Sequence, residues 1–123
     1  MSGSLTIVGL GPGPERWLTQ AAQTALDEAT DLIGYGPYLD RIPAREGRTK
    51  HASDNRVEVQ RANHALSLAA SGHKVAVVSG GDPGVFAMAA AVFEALDAGD
   101  PAWRAVPIMV EPGITAMLAA AAK

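Results

Sequence analysis

Short apolar runs and helical stripes take turns along this chain. Leu5-Thr6-Ile7-Val8 is rich in β-branched residues and is followed by glycine, which predicts a first strand. Leu18, Ala22, Ala25, Leu26 and Ala29 recur at helical spacing, so a helix capped by Thr19 is predicted to run to about Ala29. Asp31 to Tyr35 predicts a second strand, weaker in pattern, and Gly36-Pro37 opens a turn or short helix toward Ile42. From Pro43 to Ser53 the sequence is polar and irregular, a loop with room for a short strand. Val59, Ala62, Leu66 and Ala69 mark the inner face of a helix capped by Ser53 or Asp54 and closed by a left-handed Gly72. Lys74 to Ser79 carries the clearest strand pattern, and its apolar centre predicts burial on both faces, as in a parallel sheet. A long helix follows with Val85, Met88, Ala89, Val92 and Leu96 inward, stopping between Asp97 and Pro101. Ala105 to Val110 predicts a strand with Pro107 at its start or on an edge, and residues 114–122 a final helix.

This alternation of strand and helix predicts the α/β class: a three-layer domain with a mostly parallel sheet and right-handed crossovers. A length of 123 residues suits one domain. The last predicted helix reaches Lys123 with no polar tail, so the expectation is a domain cut near its boundary. Alanine fills 24 positions, while Trp17, Tyr35, Tyr38, Phe86, Phe93 and Trp103 are the only aromatics. The core is therefore small and aliphatic, and helices can lie close to the sheet.

Charge and cysteine content exclude several functions. The formal net charge of -3 offers no basic excess for a phosphate backbone, so nucleic-acid binding is disfavoured. With no cysteine, disulfides, thiolate metal sites and thiol nucleophiles are absent, which fits a reducing compartment. The apolar run Leu5 to Leu10 is too short for a signal peptide, and Glu111, Pro112 and Gly113 interrupt the apolar stretch from Ile108 to Ala122. A cytoplasmic protein without a membrane span is expected.

Three Gly/Pro turns, 9–14, 80–84 and 111–113, each follow a strand. Ligands of open α/β sheets bind beyond the C-terminal strand ends, so all three turns are candidates for one site wall; tight-turn geometry alone is the alternative. Gly9-x-Gly11-x-Gly13 only loosely matches a dinucleotide fingerprint, and Pro12 and Pro14 remove backbone donors that a diphosphate would need. Asp82 and Thr115 stand at helix starts, where each can cap a helix, contact a ligand, or do both. Tyr35 and Tyr38 flank Gly36-Pro37 and could line a cleft or close the edge of a core. Glu58 can pair with Arg61 on a helix surface. The basic residues Arg41, Arg45, Arg48 and Lys50 form either a solvated loop or a docking rim for a small polyanion. His51, His64 and His73 lie far apart and show no metal-ligand spacing, so no metal site is expected.

Four segments occur in order: Ile7-Val8-Gly9-Leu10-Gly11-Pro12-Gly13, Gly34-Tyr35-Gly36-Pro37-Tyr38, Val77 to Met88 through Gly80-Gly81-Asp82-Pro83-Gly84, and Glu111-Pro112-Gly113-Ile114-Thr115-Ala116. Together they resemble the tetrapyrrole methylases, two-domain enzymes that clasp S-adenosylmethionine between their domains. The resemblance covers nearly the whole chain but about half the family's usual length. It implies that residues 1–123 are the N-terminal domain, with the C-terminal domain absent, and that the full-length enzyme is a homodimer. It implies methyl transfer to C17 of the tetrapyrrole precorrin-3B or its cobalt analogue, with ring contraction. Another corrin or sirohaem methylation, or an inactive cofactor-binding half domain, is the alternative. The residues implied to contact the cofactor are Pro12, Gly80, Gly81, Asp82, Val85, Phe86, Thr115 and Ala116, mostly through backbone; no catalytic acid or base is implied. Gly80 stands where the family often carries serine, a change expected to leave the turn unaltered.

Overall fold

The computed structural model describes residues 3–10, 19–53, 58–80 and 82–111. In chain order the elements are β1 (Ser4–Gly9), α1 (Gln20–Glu28), β2 (Asp31–Tyr35), α2 (Gly36–Leu39), β3 (Thr49–Ser53), α3 (Glu58–Ala70), β4 (Lys74–Ser79), α4 (Asp82–Ala98), a 3₁₀ turn (Pro101–Ala105) and β5 (Ile108–Glu111). All the strand pairings are parallel, in the order β3-β2-β4-β1-β5. The three-layer expectation is met. Alternate residues of the central strands serve opposite faces, which is why their sequence reads as continuously apolar. Val8, Leu32, Ala76 and Val78 face α1, with Ala22, Leu26 and Ala29. Leu5, Ile7, Ile33, Val75 and Val77 face α3 and α4, with Ala62, Leu66, Val85, Met88 and Val92.

Local signals set the helix ends. Thr19 Oγ1 accepts from the Ala22 N–H at 3.0 Å, the expected cap. At the end of α3, Gly72 adopts φ 101°, its N–H donates to the Ala69 carbonyl at 3.0 Å, and the His73 N–H donates to Leu68 at 3.1 Å. This pair of bonds is the Schellman closure that a left-handed glycine permits.

Three expectations need correction and one is sharpened. The polar stretch before α3, read as a loop with room for a short strand, holds the five-residue strand β3 on the sheet edge; polar residues on both of its faces left no apolar period to read. Ala105 belongs to the 3₁₀ turn, and β5 begins at Ile108, beyond Pro107. Val59, in the first turn of α3, is 61% exposed rather than inward; the buried face of the helix begins at Arg61 and Ala62. Arg61 is buried, not on a helix surface, and its Nε donates to Ser53 Oγ at 2.7 Å. Ser53 itself ends β3; the Asp54 cap and the helix over 114–122 lie outside the described residues.

Candidate cofactor site

The register decides where the turns meet. Gly9 pairs with Ser79, and Val8 with Glu111, so β4, β1 and β5 end side by side. The Leu10 N–H donates to the Ser79 carbonyl at 2.8 Å, carrying the ladder one residue beyond β1. The three strand ends that lead into the Gly/Pro turns therefore share one rim of the sheet.

Strand order opens that rim at a definite place. From β2 the chain moves outward to β3, whereas from β4 it crosses β1 to reach β5. Neighbouring strands whose connections diverge leave a crevice at their C-terminal ends. On the β2 side stand Tyr35 and Tyr38, edge to face with ring centroids 5.3 Å apart. On the β4 side stands Gly80. A Cβ on Gly80 would come within 2.5 Å of Tyr38 Cζ and 2.8 Å of its hydroxyl. The atoms that a side chain on Gly80 would meet all belong to the far end of Tyr38, so a larger residue there would displace the ring.

Of the residues implied by resemblance, Gly80, Val85 and Phe86 are placed at this rim or just beyond it. Val85 is fully buried and packs with Met88 and Val92. Phe86 is 63% exposed in the first turns of α4. Asp82 begins α4, where the first N–H groups lack intrahelical acceptors. Pro12, Gly81, Thr115, Ala116 and the side chain of Asp82 lie outside the described residues. The rim thus offers backbone at Gly80 and an aromatic wall at Tyr38. Such a surface fits a cofactor of modest charge held through backbone groups.

The sequence pattern missed a polar cluster at the other end of the sheet. Asp31, at the start of β2, is 5% exposed. Its carboxylate takes His51 Nε2 on one oxygen and His73 Nδ1 on the other, each at 2.7 Å, with Thr30 Oγ1 donating at 2.8 Å. Burial pushes its pKa up, but the bonds from His51, His73 and Thr30 outweigh this and hold it below the ordinary carboxylate value. The His64 ring lies edge to face with His51 at 4.9 Å. Among the described residues, no group of three or more His, Asp or Glu side chains is placed so that it could hold a metal ion.

The family model for tetrapyrrole (corrin/porphyrin) methylases matches residues 4–123. The chain belongs to the tetrapyrrole methylases. It is 52% identical over 123 residues to a precorrin-3B C(17)-methyltransferase of Sinorhizobium sp, covering the whole chain and 48% of that relative. It superposes on the crystal structure of the methyltransferase CobJ with a TM-score of 0.87 at 60% identity, covering 98% of this chain and 50% of that one. A uroporphyrin-III C-methyltransferase from Thermus thermophilus, complexed with S-adenosylhomocysteine, aligns at 27% identity and a TM-score of 0.65, over 97% of this chain and 48% of that one. The chain spans about half the length of these relatives. No described helix is long and apolar enough to cross a membrane.

Proposed function

We propose that this chain is the N-terminal half of an S-adenosylmethionine-dependent methyltransferase acting on C17 of precorrin-3B or its cobalt analogue. The reading is supported by the register that brings the ends of β1, β4 and β5 to one rim, together with 52% identity to a relative of that name. When bound, the cofactor supplies a methyl group already activated on a sulfonium, so the protein contributes orientation and electrostatics. Gly80 and Gly81 let the backbone approach the methionine portion, where a side chain would obstruct it. The free N–H groups in the first turn of α4 receive its carboxylate, and the 9–14 and 113–116 turns complete the wall with Pro12, Thr115 and Ala116. Tyr38 closes the β2 side and keeps water from the strand end. A C-terminal domain covers the remaining wall and completes the trough for the macrocycle. Methylation then accompanies ring contraction, and the whole enzyme works as a cytoplasmic homodimer.

The test uses protein in which this chain is joined to its C-terminal domain. S-adenosylhomocysteine is expected to raise its melting temperature, and NAD is not. Precorrin-3B and its cobalt analogue are then offered with S-adenosylmethionine, and products are read by mass and chromatography. A ring-contracted, C17-methylated product supports the proposal; indifference to S-adenosylmethionine overturns it. Methylation of a different precursor would reassign the substrate within the family.

A further inference from the structure

The two sides of the sheet are covered unequally. On the side of α3 and α4, Ile108 and Val110 of β5 pack against the buried core of those helices. On the α1 side, the buried core takes its strand residues from β1, β2 and β4 and includes none from β5. Met109 projects to that side, since it lies between Ile108 and Val110 and the side chains of a strand alternate. It is 51% exposed. An open groove of about 350 Å³ lies there, bounded by Thr6 and Met109 on the sheet, Ala21, Thr24 and Ala25 on α1, and Glu111 at the end of β5. Strands of an all-parallel sheet ordinarily carry cover on both faces, so a large apolar side chain left open on one of them asks for a neighbour.

The chain itself supplies one. It leaves β5 at Glu111, on the lip of the groove. Residues 112–123, which lie outside the described residues, begin with the turn formers Pro112 and Gly113. Ile114, Met117, Leu118 and Ala121 then form an apolar stripe at helical spacing. A helix over 114–122 would be about 14 Å long, and the strand β5 spans about 13 Å. Such a helix, running back along β5, would cover it from end to end. The levels agree as well. Met109 stands about 7 Å below Glu111 along the strand, and Leu118 would stand about 6 Å below Ile114 along the helix. Alanines at 116 and 119–122 keep the rest of the helix slim, and α1 presents Ala21, Thr24 and Ala25 along the groove. Small side chains on both elements let two helices approach to about 8 Å. A second copy or a further domain is the rival occupant, and neither starts, as this segment does, at the lip of the groove.

We propose that residues 114–122 turn back as a helix onto this open face, seating Leu118 against Met109 and laying Ile114, Met117 and Ala121 along the same groove. The placement is independent of the methyltransferase reading. It also holds Thr115 and Ala116 beside the end of β1, where Val8 pairs with Glu111.

The experiment uses protein in which this chain is joined to its C-terminal domain, with the methyl groups of methionine and leucine ¹³C-labelled. The Met109 and Leu118 resonances are assigned by their loss in Met109→Ala and Leu118→Ala. A nuclear Overhauser effect between the Met109 ε-methyl and the Leu118 methyls is expected. A mixture of methionine-labelled and leucine-labelled protein should not show it, because both residues belong to one copy. In urea unfolding, Met109→Ala combined with Leu118→Ala should lower the midpoint by less than the sum of the two single losses. An effect that appears in the mixture would assign the groove to a second copy and overturn the proposal. Contact of Met109 with methyl groups of the C-terminal domain instead of Leu118 would overturn it too, as would the lack of any effect to Leu118 or strictly additive losses.

Discussion

The Tyr38 ring occupies the space into which a side chain on Gly80 would project, with Tyr38 Cζ 2.5 Å from the position of such a Cβ. This contact couples the connection after β2 to the turn after β4, across the crevice where the cofactor is proposed to bind. Gly80→Ala should therefore cost about 1 kcal/mol, the low end of overpacking, since the added methyl meets only the far end of the half-buried Tyr38 side chain, which can swing aside. In urea unfolding, Gly80→Ala combined with Tyr38→Ala should cost less than the sum of the single changes. Strict additivity would mean that the ring and the turn are uncoupled.

Gly3 presents a harder constraint, because backbone surrounds it. A Cβ there would lie 2.2 Å from the Ala69 carbonyl oxygen and 2.3 Å from that of His73. Carbonyls at the α3–β4 junction cannot rotate away as a side chain can. Gly3→Ala is expected to destabilise the chain by about 3 kcal/mol, at the upper end of overpacking costs. A loss within about 0.5 kcal/mol, as at an ordinary surface site, would contradict the close approach.

Asp31 ties three segments together: β2, which carries it, His51 on β3, and His73 ahead of β4. Its folded pKa is lowered, so its contribution to stability is present above the unfolded value and lost as pH falls through the folded one. The loss should thus appear on the acid side, below the ordinary carboxylate range. Asp31→Asn should cost about 1.5–3 kcal/mol at neutral pH, the worth of hydrogen bonds to a buried charge, and should flatten the acid limb of the stability profile. An Asn variant with the wild-type acid limb would show that another carboxylate governs it.

Thr19 offers a smaller and cleaner test. Its hydroxyl accepts from the Ala22 N–H at 3.0 Å and starts α1. Thr19→Ala should cost about 1 kcal/mol, and Thr19→Ser should restore most of it. Equal losses in both variants would assign the effect to the methyl group instead.

The helix and strand sequence of this protein was legible where burial repeats with a local period. β4 showed it through four consecutive buried residues, Val75 to Val78, and α4 through Val85, Met88 and Val92. Thr19 and Gly72 were legible for a related reason, since a helix end is chosen by residues within a few positions of it. β3 was not, because an edge strand with polar residues on both sides has no apolar period to read. The strand-end turns could be nominated from glycine and proline alone, but their shared rim follows from the pairing of Gly9 with Ser79 and Val8 with Glu111.

Sequence by itself determined the α/β class, the caps at Thr19 and Gly72 and the nomination of three turns, since each depends on residues close together along the chain. Only the tertiary structure decided the strand order, the placement of Tyr38 against Gly80 and the union of His51, Asp31 and His73. The two histidines reach Asp31 from 20 and 42 positions away. Contacts over such spans are set by strand order and register, and both depend on how every element packs at once.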